Sequence, residues 1–175
     1  MRVTKFMIVV FALLSLQFSV FAQDSEQLFT IYLMRHAEKE LTSNNPKDPP
    51  LTPCGENRAK SITSFLDSVD LEAVYSTEYI RTMKTALPTA TKKGLEIESY
   101  NPKELNDFAK LLLNRKQDAL VVGHSNTTGV LAGLLAGEKI GSFDEKIYNR
   151  VYQVVMYKDK GRLHILHTSF NCDSD

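Results

Sequence analysis

Strand-like and helix-like segments alternate along most of this chain, and that alternation predicts an α/β fold. The expected form is a three-layer α/β/α sandwich on a mostly parallel sheet with an antiparallel edge strand. Two runs, Leu28–Met34 and Ala119–Val122, have the near-continuous hydrophobicity of strands buried on both faces. Near the end, Val151–Tyr157 and Arg162–Thr168 flank Lys158-Asp159-Lys160-Gly161, the pattern of a hairpin and hence of the antiparallel edge.

The first segment is read as a targeting signal and not as part of the fold. Arg2 and Lys5 precede an apolar run from Phe6 to Ala22, and Val20-Phe21-Ala22 offers a small residue for cleavage. An uncleaved anchor is the alternative, because the run of about 17 residues is near the lower limit for a membrane span. The expectation is a signal peptide over residues 1–22 and one domain over residues 23–175. A domain of that size buries roughly 70% of its unfolded surface and needs no staple to fold. Loss of the signal takes Arg2 and Lys5 from 21 basic residues and nothing from 21 acidic ones, leaving a net charge of −2. Such a balance argues against a general nucleic-acid or anionic-membrane binder.

The apolar run Leu28–Met34 leads directly into Arg35-His36-Ala37-Glu38-Lys39. A polar, proline-rich loop follows, from Leu41 to Pro50. Thr52 can cap the next helix, Pro53 suits its first position, and Glu56 complements its positive end. Ile62, Phe65, Leu66 and Val69 recur at helical spacing as its buried face. Glu72–Tyr75 reads as a strand, and Ser76-Thr77 as the start of a helix carrying Arg81. Leu95–Glu98 is a third strand. Asn101-Pro102 opens a helix to about Asn114, with Leu105, Phe108, Leu111 and Leu112 on one side. After Ala119–Val122 come Gly123-His124-Ser125-Asn126 and a Leu- and Ala-rich helix to about Ala136.

Parallel strands present their C-terminal ends at one edge of the sheet, where open α/β folds bind ligands. Arg35 and His36 follow the first strand, Arg81 lies in the first turn of the helix after the second, and His124 follows the fourth. Two histidines and two arginines, distant in sequence, are expected to converge. Arginine matches phosphate oxygens with a planar fork of donors. Histidine is readily kept as a neutral nitrogen nucleophile near neutral pH. The set therefore reads as an anion clamp around His36, with His124, preferably as a cation, donating to a further phosphate oxygen. Each residue alone has a plainer reading, and His164 and His167 in the last strand are taken as structural. A metal site from His36, His124 and Glu38 is disfavoured by the adjacent Arg35, and no Cys/His spacing resembles a zinc site.

These motifs resemble the histidine phosphatase superfamily (phosphoglycerate mutase-like). Leu33-Met34-Arg35-His36-Ala37-Glu38-Lys39 is similar to its Arg-His-Gly signature, with Ala37 in place of glycine. Leu51-Thr52-Pro53-Cys54-Gly55 resembles the start of its first helix. Tyr75-Ser76-Thr77-Glu78-Tyr79-Ile80-Arg81 resembles its second block, and Val121-Val122-Gly123-His124-Ser125-Asn126 the block of the second histidine. The resemblance implies that His36 is the nucleophile, that Arg35, Arg81 and His124 form the phosphate pocket, and that Ser125 and Asn126 contact substrate. It implies no cofactor and no metal.

Only 42 residues separate Arg81 from His124. Phosphoglycerate mutases of this family carry a long insertion there, so the chain resembles the minimal form, similar to small bacterial phosphohistidine phosphatases. An open site favours hydrolysis over mutase action. The general acid is left open among Glu98, Glu104 and Glu38, and no strong acid is needed if the leaving group is an imidazole or an acidic phosphate. The expected protein is an exported phosphatase, periplasmic or secreted, that releases inorganic phosphate from a small phosphorylated substrate through phospho-His36. A phosphohistidine protein phosphatase, a mutase and a non-catalytic phosphate binder are the alternatives. Whether Cys54 and Cys172 are bonded stays open.

Overall fold

The computed structural model describes residues 28–172, so the expected signal over residues 1–22 lies outside the described residues. Ten elements follow in order: β1 (Phe29–Arg35), α1 (Pro53–Phe65), β2 (Ala73–Ser76), α2 (Ile80–Lys93), β3 (Ile97–Ser99), α3 (Leu105–Arg115), β4 (Ala119–Gly123), α4 (Thr128–Ala136), β5 (Arg150–Tyr157) and β6 (Lys160–His167). One six-stranded sheet has the order β3-β2-β4-β1-β5-β6. Strands β3, β2, β4 and β1 run parallel, whereas β5 is antiparallel to β1 and β6 antiparallel to β5. This is the expected α/β sandwich, with the hairpin forming the antiparallel edge.

Side-chain alternation in the central strands divides the core into two layers. Ile31 and Leu33 of β1 and Ala119 and Val121 of β4 pack with Phe108 and Leu112 of α3 and Leu131 and Leu135 of α4. Tyr32, Met34, Leu120 and Val122 face the other way, onto Ile62 and Leu66 of the α1 segment and Ala86 and Ala90 of α2. Burying each large aliphatic side chain contributes roughly 1.5–3 kcal/mol. The β1–β4 pairing, with Arg35 opposite Gly123, aligns the two motif-bearing loops at the same sheet edge.

Local signals explain the helix boundaries, with corrections. Thr52 caps α1 as expected, accepting from the Gly55 N–H, and Pro53 occupies the first turn. The helix ends at Phe65, so Phe65 is 39% exposed and Val69 packs from beyond it, while Ile62 and Leu66 carry the buried face. The second helix starts at Ile80 and not at Ser76: Ser76 still pairs in the sheet, and Thr77 is held in the turn by the Thr82 hydroxyl, which donates to its carbonyl. Likewise α3 starts at Leu105, because the Asn101 side chain accepts from the Lys103 N–H and closes a turn of its own. Leu111 is 38% exposed, on the flank of α3. Strand β6 begins already at Lys160, since a two-residue turn at Lys158-Asp159, with Lys158 at φ 54°, suffices.

Cys54 and Cys172 form a disulfide, with their Cα atoms 5.8 Å apart. It ties the C-terminal segment to the first turn of α1, which leans on the loop after β1. That contact is close: a Cβ at Gly55 would collide with the carbonyl oxygen of Glu38, which also accepts from the Thr52 N–H at 2.9 Å.

Candidate active site

The loops after β1, β2 and β4 meet at the C-terminal edge of the sheet. The His36 backbone N–H donates to the Gly123 carbonyl at 2.9 Å, continuing the β1–β4 ladder one residue beyond the strand. The His36 and His124 rings lie edge to face with centroids 5.5 Å apart. Arg35, His36, Arg81, His124, Ser125 and Asn126, every residue expected at the site, line one open cavity of about 380 Å³. Gly123 permits this closeness, since a Cβ there would press on the Tyr100 hydroxyl at 2.5 Å and the Thr127 hydroxyl at 3.0 Å.

His36 is 2% exposed and held in one orientation. Its Nδ1–H donates to the Ala37 carbonyl at 2.7 Å, which leaves Nε2 as the lone-pair nitrogen. Burial pushes its pKa down to about 3, and the cations Arg35 and Arg81 act in the same direction, as does His124, against the favourable Ala37 carbonyl. The imidazole is thus neutral and nucleophilic at ordinary pH. The Ala37 methyl group packs against Leu51 and Ala59, and its N–H donates to Thr85 Oγ1 at 2.9 Å.

His124 departs from expectation. Its Nε2 is 3.0 Å from Thr77 Oγ1, which is 2.9 Å from Thr82 Oγ1. Burial, then the positive charges of Arg81, Arg35 and Lys39, push its pKa down to about 4. Burial and the neighbouring cations thus both favour the neutral imidazole of His124 over the expected cation.

The two arginines are buried differently. Arg35, 2% exposed, donates through Nη1 to the Glu145 carbonyl and stacks on Tyr148 at 4.2 Å. Arg81 reaches Asp48 Oδ1 at 3.3 Å and lies 4.4 Å from the Tyr79 ring centroid. The Nε atoms of both are buried, with no hydrogen-bond partner among the described residues. Both guanidinium groups line the cavity, where a planar fork of donors matches the oxygens of a phosphate. Ser125 is buried and Asn126 exposed, on the turn before α4. Their N–H groups stand at the positive end of that helix.

None of the three acid candidates lines this cavity. Glu98 pairs with Arg115 at 2.6 Å on the outer side of β3. Glu104 is exposed at the N-terminus of α3. Both Glu38 oxygens accept from Arg58 Nε at 2.9 Å, and Arg58 also donates to the Phe170 carbonyl. Glu38 lies near Cys54 and Cys172 as well, but those sulfurs are bonded to each other and that set is no metal site. The carboxylate that does line the cavity is Glu145, with Oε2 3.9 Å from Arg35. Sequence reasoning missed Glu145, Asp48, Thr77 and Lys103. Asp48 and Glu145 sit in long connections without periodicity, and Thr77 was read only as a helix start.

Residues 31–109 match the histidine phosphatase superfamily (branch 1). That stretch holds Arg35, His36 and Arg81, and His124 joins them from beyond it. A solved structure of the protein histidine phosphatase SixA complexed with tungstate superposes with a TM-score of 0.66 at 19% identity, covering 79% of this chain and 97% of that one. The α-ribazole phosphatase of Shigella flexneri gives 0.65 at 15% identity, covering 80% and 96%. A mycobacterial glucosyl-3-phosphoglycerate phosphatase gives 0.66 at 11% identity, covering 82% and 100%. At these identities the likeness is one of fold, a phosphoglycerate mutase-like α/β sandwich. No curated protein sequence gives a significant match.

Proposed function

We propose that this histidine phosphatase fold is an exported phosphatase that hydrolyses phosphate monoesters or phosphoramidates through a phosphohistidine at His36. The observation that carries the reading is the convergence of an oriented, neutral His36 with Arg35, Arg81 and His124 on one cavity. Nε2 attacks phosphorus in line, forming the N–P bond as the bond to the leaving group breaks. Arg35 and Arg81 bind the phosphoryl oxygens, and Ser125 and Asn126 offer further donors at the start of α4. A dianion bound beside His124 offsets the charges of Arg81, Arg35 and Lys39, the part of its shift not due to burial, and so raises its affinity for a proton. Water then attacks phospho-His36, the N–P bond breaks, and inorganic phosphate leaves.

Export is supported by the leader-like residues 1–22 and by the Cys54–Cys172 disulfide, a bond that persists in oxidising compartments. Hydrolysis is favoured over mutase action by the 42-residue Arg81–His124 interval and the open cavity, to which water has free access. A phosphohistidine protein phosphatase is the second reading, favoured by the three displaced acid candidates. Assay of the chain lacking residues 1–22 and of His36→Ala, with trapping of the phosphoenzyme, tests the proposal. Equal rates in the two proteins would remove His36 as nucleophile.

A further inference from the structure

The phosphate cavity opens into a second, larger cavity of about 490 Å³ between the start of α2 and the β3–α3 connection, and the two share Tyr79, Pro102 and Lys103. We infer that this groove is the leaving-group subsite and that it takes a second phosphate, so that the preferred bond is the terminal phosphoanhydride of a diphosphate-bearing molecule. The inference rests on the phosphatase reading above and extends it from the transferred phosphoryl group to what departs.

Two independent observations lead there. The first is the character of the groove. Lys103 reaches both cavities, and among the described residues no carboxylate pairs with it or with Lys39 on the opposite wall. The Asn101 side-chain oxygen accepts from the Lys103 N–H, and its amide N–H groups remain as donors in the lining. Ser99 adds a hydroxyl, and Glu78 is the single carboxylate of that lining. Over the two linings together, the four cations Arg35, Lys39, Arg81 and Lys103 face two carboxylates, Glu78 and Glu145. An anionic, oxygen-rich group suits such a lining better than a neutral sugar or an alkyl alcohol.

The second observation is the lack of a positioned proton donor. Arg58 and Arg115 hold Glu38 and Glu98, and Glu104 lines neither cavity. Glu78 is exposed and lines the groove but not the cavity around His36, and Glu145 is the counter-ion of Arg35 with its side chain 72% exposed. Burial first, then Arg81, Arg35 and Lys39, lower the proton affinity of His124, and a bound anion offsets only the charges. An alkoxide leaving from a simple ester needs a proton, and general acid catalysis of that step is worth about 10²–10⁴ in rate. A departing phosphate needs none. In the proposed step His36 Nε2 forms a bond to the terminal phosphorus while the bridging P–O bond breaks. The electron pair stays on the bridging oxygen, and the leaving phosphate remains an anion against Lys103. Water then attacks phospho-His36, the N–P pair returns to Nε2, and the water's proton goes to the phosphate that is released.

The test compares ADP, glycerol 2-phosphate, phosphoramidate and p-nitrophenyl phosphate as substrates for the chain lacking residues 1–22, its Lys103→Ala and Lys103→Arg variants, and His36→Ala. Expected is a kcat/KM for ADP about 10²-fold above that for glycerol 2-phosphate. Lys103→Ala should lower the ADP to p-nitrophenyl phosphate ratio about threefold to fivefold, the worth of one exposed charge pair, and Lys103→Arg should restore most of it. Preference for glycerol 2-phosphate or phosphoramidate over ADP would overturn the inference, as would an ADP ratio indifferent to Lys103. The phosphatase reading is judged separately, by whether p-nitrophenyl phosphate cleavage depends on His36.

Discussion

His36 Nδ1 lies 2.7 Å from the carbonyl oxygen of Ala37, the next residue in the chain. A hydrogen bond to so near a neighbour fixes the tautomer at little entropic cost, because the backbone that carries the acceptor is itself pinned. The Ala37 N–H is held by Thr85, and the Ala37 side chain is fully buried. Phosphorus should therefore be found on Nε2 of His36 and not on Nδ1. Mass spectrometric and ³¹P NMR analysis of the trapped phosphoenzyme distinguishes the isomers. His36→Gln should lower kcat/KM by on the order of 10⁴ or more, as loss of a nucleophile does elsewhere.

Arg35 and Arg81 both present a buried, unpartnered Nε, but they are anchored by different loops. Glu145 and Tyr148 hold the first, Asp48 and Tyr79 the second. Arg81→Lys keeps the charge and loses the planar fork, so kcat/KM should fall about 10²–10³-fold with stability near wild type. Asp48→Asn should act more gently, through Arg81 orientation, and weaken inhibition by inorganic phosphate less than Arg81→Lys does. Steady-state kinetics with phosphate as product inhibitor reads both effects.

The sheet and the four central site residues were legible because their signals are short-range and strong. Apolar runs end directly in Arg35-His36 and in Gly123-His124, and parallel pairing of β1 with β4 brings the ends together. Helix starts were less legible. Ser76 and Asn101 are good capping residues, yet one is still paired in the sheet and the other closes a separate turn, so sheet register and local turn chemistry overrode propensity. The acid candidates failed for another reason. Position after a strand says which edge a residue occupies but not which partner claims it, and Arg115 and Arg58 claim Glu98 and Glu38. Whether Cys54 and Cys172 meet was equally beyond sequence, since 118 positions separate them.

Acid should destabilise the unliganded protein through its two site histidines. The folded-state pKa of each is depressed, to about 3 for His36 and about 4 for His124, from an ordinary 6.5. Between those values the unfolded chain binds more protons than the folded one, so stability rises with pH across the window and falls as pH drops below about 6.5. Chemical denaturation between pH 7 and pH 4.5 should show the midpoint declining, and inorganic phosphate should oppose the decline by drawing a proton onto His124. Histidine NMR gives the direct reading: both rings should remain neutral at pH 5.5 without phosphate.

The Cys54–Cys172 bond closes a long loop, with a sequence separation of 118. Its loss should cost about 2–4 kcal/mol, chiefly through the unfolded ensemble. The cost should reach the active site too, because Arg58 bridges Glu38 and the Phe170 carbonyl and so links the tail to the loop that carries His36. Cys54→Ser with Cys172→Ser should therefore lower the urea midpoint and also reduce kcat modestly, with the larger effect on stability. Adding reductant to the wild type should reproduce the double variant, and the double variant should be indifferent to reductant. If reductant leaves the wild-type midpoint unmoved, the bond does not form in solution and its support for an oxidising compartment goes with it.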